Sequence, residues 1–109
     1  MTAPETAEAW GRLAVSLPGW RWMPGMLGLW SDTHGEVYRP RIDGHPGPWV
    51  KGATAGIDPD DPATAGCLLA LVGSDRIRVL AMLVDSRNIG FGRACIAYAN
   101  ALGRWPGGS

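Results

Sequence analysis

The chain has 109 residues, of which 46% are apolar and 18% charged, and its ten basic and ten acidic side chains leave no formal net charge. This length fits one domain, and we expect residues 1–109 to fold as a single unit with a flexible tail over residues 104–109. The zero net charge argues against a protein that grips duplex nucleic acid through a broad cationic surface.

The first part of the chain predicts one helix and a β-hairpin. Thr2 and Glu5 have the spacing of a capping box, and apolar residues at helical spacing predict a helix from about residue 3 to 16, with Trp10 facing the core. Two strands, over residues 26–30 and 36–42, are joined by a turn-forming loop. Pro40 removes a ladder donor, so the second strand should lie at an edge or break there.

The second part predicts a helix, a strand and a final helix. Asp61 and Pro62 are typical of a helix start, and Gly73 of its end. Residues 76–84 are apolar on both alternating faces beyond Arg78, which predicts a central strand. The last helix should run from about residue 92 to 102. The element order α-β-β-α-β-α predicts a small α/β (α+β) sandwich with about three strands covered by helices.

Motifs for catalysis and metal binding are absent from the sequence. It has no Gly-x-Ser-x-Gly elbow, His-Glu-x-x-His pair or phosphate-binding loop, and His34 and His45 lack ligand-type partners at metal spacing. We therefore expect no enzyme, no metal and no cofactor. Cys67 and Cys95 are expected to be small core residues. Without a signal segment or membrane span, the protein is expected in the cytoplasm, away from membranes.

Two charged segments have alternative interpretations. The acidic run over residues 58–61 could hold a hard cation, but capping of the following helix is favoured. Residues 85–93 place two glycines, Arg87 and Arg93 just before a helix, which is typical either of an anion site or of an ordinary glycine-rich turn. This segment lacks the glycine pattern of a dinucleotide-binding fold.

Four of the six tryptophans lie between residues 20 and 49, together with several arginines. Tryptophan fills cores, which we favour for Trp22 and Trp30, but its ring also stacks on bases while arginine contacts phosphate. Trp20 and Trp49 lie in predicted loops and could do either. The candidate ligand-binding residues are Trp20, Arg21, Arg39, Arg41, Trp49, Arg87 and Arg93.

Three segments carry a resemblance to a known group. Residues 20–26 (WRWMPGM), 61–72 (DPATAGCLLALV) and 101–105 (ALGRW) resemble small uncharacterised proteins of phages and prophages, which look similar to small phage α-β-α sandwiches. The resemblance implies no catalytic residues. It implies action by binding, either of a host protein or of a nucleotide signal used in host defence.

The leading hypothesis is a non-enzymatic phage or prophage protein, acting in the cytoplasm of a bacterial host. It would sequester an anionic, nucleotide-type small molecule and so counter host defence. A homodimer with a shared site is expected, and nucleic acid is not the expected partner. The alternative is a protein-interaction module that blocks a host protein or serves in phage assembly, because Trp and Arg are also enriched at protein interfaces.

Overall fold

The computed structural model describes residues 6–31, 34, 36–42 and 54–108. Its elements are α1 (Ala7–Ser16), β1 (Gly28–Ser31), β2 (Val37–Tyr38), β3 (Thr54–Ile57), α2 (Pro62–Val72), α3 (Ile77–Arg87) and α4 (Phe91–Leu102), with 3-10 turns at Ser74–Arg76 and Pro106–Gly108. This is a mixed α+β fold, which confirms the predicted fold class. The proposed capping box at Thr2 and Glu5 lies outside the described residues, and α1 is capped instead by Thr6, whose hydroxyl accepts from the amide of Ala9.

The three strands form an antiparallel sheet in the order β2-β1-β3. The predicted hairpin is confirmed, with Trp30 opposite Tyr38 and Ser31 opposite Val37. β2 is an edge strand that ends before Pro40, as expected from the missing donor, and an isolated bridge joins Leu27 to Arg41 beyond it.

Strand β3 was not anticipated from the sequence, and α1 packs closely across it. The contact depends on glycine, because a Cβ on Gly11 would overlap the carbonyl oxygen of Ile57. A Cβ on Gly56 would in turn lie 3.2 Å from the backbone of α1. Helix and strand backbones therefore meet with no side chain between them.

The predicted central strand over residues 76–84 is wrong, because this segment belongs to helix α3. A short run that is apolar at nearly every position satisfies the strand period and the helix period equally well. In α3 only Leu80 is fully buried, whereas a central strand would bury both of its faces. The helix ends at Asn88, which adopts the left-handed conformation. The described order is therefore α-β-β-β-α-α-α.

Helix α4 lies at the centre of the helices and packs against α1, α2 and α3. Its buried positions are small or apolar, namely Gly92, Ala94, Cys95, Ile96 and Ala99. Trp10 and Trp30 are buried, as predicted. No helix of the described residues is long and apolar enough to span a bilayer.

Trp105 also belongs to the core, although the sequence predicted a flexible tail from residue 104. Its ring is almost fully buried, and its Nε1 donates a hydrogen bond of 2.8 Å to the carbonyl of Ala14. Its backbone amide donates to the carbonyl of Pro18. The last turn of the described chain is thereby attached to α1 and to the segment that follows it.

Candidate functional site

Three of the predicted ligand-binding arginines meet the acidic run between β3 and α2, which we call the acidic turn (residues 58–61). Arg39 pairs with Asp58, Arg41 with Asp61 and Arg93 with Asp60. The structure therefore brings together two charged groups that the sequence analysis treated separately. Each arginine is already matched by a carboxylate.

Asp61 is the most highly bonded member of the acidic turn. It caps α2 by accepting from the amide of Thr64 at 3.0 Å, and it receives both terminal nitrogens of Arg41, at 2.7 and 3.3 Å. The Arg41 hydrogen bonds are the main reason why the pKa of Asp61 is lowered. Thr64 is buried, and its hydroxyl accepts from the amide of Leu27, so the cap also ties α2 to the start of β1. The predicted capping role is confirmed at this residue.

Asp60 occupies the start of α4, where the sequence suggested an anion site. Its carboxylate receives Nε and Nη2 of Arg93 at 2.9 and 2.8 Å, and it lies near Gly90, the N-cap of α4. A carboxylate near a helix N-terminus complements the helix dipole, and Asp60 does so without capping α4 by a side-chain hydrogen bond. Gly92 has a packing role, because a Cβ there would overlap the carbonyl oxygen of Pro59.

A cleft of about 400 Å³ lies beside Arg39 and the start of α1. Its polar lining includes the carboxylates of Glu8, Asp58 and Asp60 and a single cation, Arg39, which is 61% exposed and 3.4 Å from Asp58. Carboxylates thus outnumber cations in the lining. This excess of carboxylates favours a ligand with a cationic group over a ligand with a phosphate.

Four tryptophan side chains pack on one another. Trp22 stacks on Trp30 with ring centroids 5.6 Å apart, and Trp20 meets Trp22 edge-on at 5.3 Å and Trp105 at 5.7 Å. We call these four residues the indole row. The Nε1 atoms of Trp20 and Trp30 are buried without a hydrogen-bond partner among the described residues. Trp20 and Trp22 are half-buried and pack against the core, so the row serves mainly as packing.

The other described members of the predicted set form no ion pair with the acidic turn. Arg21 is exposed and lies between Trp20 and Trp22 in the sequence, and Arg87 is exposed at the end of α3, where a cation complements the helix dipole. Trp49 and His45 lie outside the described residues. Within the described ranges, no hydrogen bond or ring contact joins Trp20 to Arg39, Arg41 or Arg93. Among the described residues, three members of the predicted ligand-binding set therefore contact the acidic turn, and Trp20 belongs to the indole row.

The possible metal ligands and the two thiols can be located within the described part of the chain. Among the described residues, no group of three or more His, Cys, Asp or Glu side chains could hold a metal ion. Cys67 and Cys95 are free thiols. Cys95 is buried, and desolvation raises its pKa to about 12, so it is poorly suited to act as a nucleophile.

Helix α3 presents an exposed surface that the sequence analysis missed. Met82 is 69% exposed, Ile77 51% and Val79 41%. These are three of the six large exposed hydrophobic residues in the described part of the chain. The stripe directly opposite buried Leu80 consists of Arg78, Ala81, Met82 and Asp85, and we call it the outer face of α3.

The outer face of α3 is available because α3 packs mainly on one neighbour. Its principal contacts are with α4 and with the short 3-10 turn that precedes it. Arg78 and Asp85 form no ion pair with any described residue. In the sequence, this surface is part of the apolar run over residues 76–84, which predicted a buried strand.

Comparison of the chain with protein-family models, curated proteins and solved structures finds no match. Function is therefore inferred from the geometry of the described residues.

Proposed function

We propose that this protein acts by binding another protein, and that the outer face of α3 is its docking surface. The observation that carries this proposal is the exposure of Met82 at the centre of a charged stripe, with Ile77 and Val79 on its flanks. Burial of apolar surface contributes roughly 25 cal/mol per Å², so covering these side chains would be favourable. Exposed apolar patches with polar rims are typical of protein-binding sites.

The chemistry of the face defines the partner that fits it. Met82 and the small Ala81 leave room for an approaching helix, while Arg78 and Asp85 require an acidic and a basic group at opposite ends. The fitting partner is an amphipathic helix with an apolar centre between two opposite charges.

Site-specific photo-cross-linking tests this proposal. A photoreactive amino acid replaces Met82, and a matched control carries it at Val37, which is exposed on the edge strand β2. We expect adducts from bacterial lysate at position 82 alone, with an attached peptide that has an apolar residue between an acidic and a basic one. Equal labelling at both positions, or none at position 82, would overturn the proposal.

A second candidate function is binding of an anionic, nucleotide-type small molecule by a non-enzymatic homodimer. Its support is exposed Arg21, which lies between half-buried Trp20 and Trp22 in the sequence, because tryptophan can stack on a base and arginine can contact phosphate. Arg39, Arg41 and Arg93 contribute less, because a phosphate would compete with Asp58, Asp60 and Asp61 for them.

Calorimetry with cyclic nucleotides and ADP-ribose derivatives tests this second candidate. We expect binding that Arg21→Ala weakens about tenfold, since a charge-assisted contact contributes roughly 1.5–3 kcal/mol. Arg12→Ala is the control, because Arg12 is exposed on α1 outside the indole row. The absence of heat with every compound would reject the candidate.

A further inference from the structure

The outer face of α3 is complementary to itself, and we infer that a second copy of this chain docks on it. This inference rests on the proposed function, because it names the partner of the same surface. In chain order the face reads basic, small, apolar, acidic: Arg78, Ala81, Met82 and Asp85. When this order is reversed on an antiparallel helix, each charge meets its opposite.

The two-fold axis that satisfies this pattern passes between Ala81 and Met82. Arg78 then faces Asp85 of the partner subunit, and Met82 faces Ala81 of the partner subunit. In a two-fold interface every contact occurs twice, so two ion pairs flank one apolar centre. A parallel arrangement would place Arg78 opposite its own copy and Asp85 opposite its own, which is repulsive.

Neither charge is satisfied within the described part of its own chain. Arg78 and Asp85 are seven residues apart on the same helix, which corresponds to about 10 Å of rise, so they cannot pair with each other. Four described arginines, Arg39, Arg41, Arg76 and Arg93, form ion pairs within the chain, and the other described arginines form none with a described residue. On α3, one basic and one acidic side chain without such a partner frame an exposed methionine.

The size of the face limits the strength of the dimer. α3 has 11 residues, and one face of so short a helix buries on the order of 800 Å² in total across a two-fold axis, which is below the roughly 1,200 Å² of stable specific interfaces and in the range of weak, transient ones. We therefore expect a dissociation constant in the micromolar range and an exchange of monomer and dimer with concentration.

Sedimentation equilibrium over a wide concentration range tests the inference with the full chain. We expect the average mass to rise from one chain toward two. Arg78→Asp and Asp85→Arg should each weaken self-association about tenfold or more, since each variant creates two like-charge contacts. An equimolar mixture of the two variants should associate as well as the wild type, because both ion pairs reform in the heterodimer.

Two further variants keep the result interpretable. Met82→Glu should abolish the dimer without unfolding the chain, since Met82 is exposed, and circular dichroism melting checks the fold. Val37→Glu should dimerise like the wild type. A wild type that stays monomeric throughout, or a mixture of the charge variants that fails to associate, would overturn the inference.

Failure of the inference can be told apart from failure of the proposed function. If the chain is monomeric but position 82 cross-links specifically to another protein, the docking surface on α3 is supported and its occupation by a second copy is rejected. If the chain is monomeric and position 82 gives no specific adduct, both are rejected.

Discussion

Arginine and aspartate side chains meet at the acidic turn and also lie on the outer face of α3, but they find their partners in different places. At the acidic turn, two arginines from the segment after β2 and one from α4 pair with three aspartates within the chain. On α3, Arg78 and Asp85 frame Met82 with no ion pair among the described residues. The first arrangement holds the fold together, and the second is available for another molecule. A cluster of charges is thus a weak indicator of a binding site until its internal partners are known.

Gly92→Ala should have the largest effect, because it acts on the contact between the acidic turn and α4. The new methyl group would overlap the carbonyl oxygen of Pro59, so the turn must move off the helix. We expect a loss of about 3 kcal/mol or more in the free energy of unfolding, measured by urea denaturation.

Gly66→Ala is the matched control for Gly92. Gly66 lies inside α2 with open space around its would-be Cβ, so alanine should stabilise the helix by about 0.5–1 kcal/mol. Similar losses in both variants would show that the close contact with Pro59 is not the cause.

Leu80→Ala and Met82→Ala separate the two sides of α3. Leu80 is completely buried, so its truncation should cost about 2–4 kcal/mol in the free energy of unfolding. Met82 faces outward, and its truncation should change stability by less than about 0.5 kcal/mol while weakening self-association. If Met82→Ala destabilised the chain as much as Leu80→Ala, the outward position of Met82 would be contradicted.

Asp61→Asn should change how stability depends on pH. Hydrogen bonds from Arg41 lower the pKa of Asp61 in the folded state. The ionised carboxylate therefore stabilises the fold above the unfolded pKa of about 3.9, and this contribution disappears as pH falls through the lower folded pKa. We expect the wild type to lose more stability than Asp61→Asn between about pH 5 and pH 2.

Asp75→Asn serves as the control for the loss of a surface carboxylate at neutral pH. Asp75 is 77% exposed and lies 3.8 Å from neighbouring Arg76, so its variant should change the free energy of unfolding by less than about 0.5 kcal/mol. At neutral pH, Asp61→Asn should lower the free energy of unfolding by about 1–2 kcal/mol, because a charged hydrogen-bond acceptor is lost. Parallel pH curves for Asp61→Asn and the wild type would rule out the proposed role of Arg41.

Arg39→Ala should have the smallest effect of the series. The Arg39 side chain is largely exposed, and its single contact with Asp58 is 3.4 Å long. Exposed ion pairs of this kind contribute little to the stability of the fold, so the free energy of unfolding should fall by at most about 0.5 kcal/mol. Arg41→Ala, which removes two contacts to Asp61 and one to the carbonyl of Gly25, should be the more destabilising of the two.

Features fixed by local chemistry were predictable from the sequence. Asp61 with Pro62 starts α2, Gly73 and Gly103 end their helices, and the hairpin follows from its turn residues. Strand β3 was missed because its residues have small side chains and a weak preference for strands. The strand depends on close packing with α1 through Gly11 and Gly56.

The site was harder to predict than the fold, because its decisive contacts are distant in sequence. Arg39, Arg41 and Arg93 pair with aspartates 19, 20 and 33 residues away, so neither net charge nor spacing reveals that they are neutralised. The exposed face of α3 was hidden for the opposite reason. Its apolar residues were interpreted as buried, since hydrophobic periodicity does not specify which side of an element is covered.

The attachment of Trp105 has a consequence for how the chain folds during synthesis. The Trp105 side chain bonds to Ala14, which is 91 residues earlier, and it fills a gap beside α1. During synthesis α1 leaves the ribosome well before Trp105, so the core around α1 cannot close until Trp105 has also emerged. A chain that stops before Trp105 is therefore expected to leave α1 accessible to proteases.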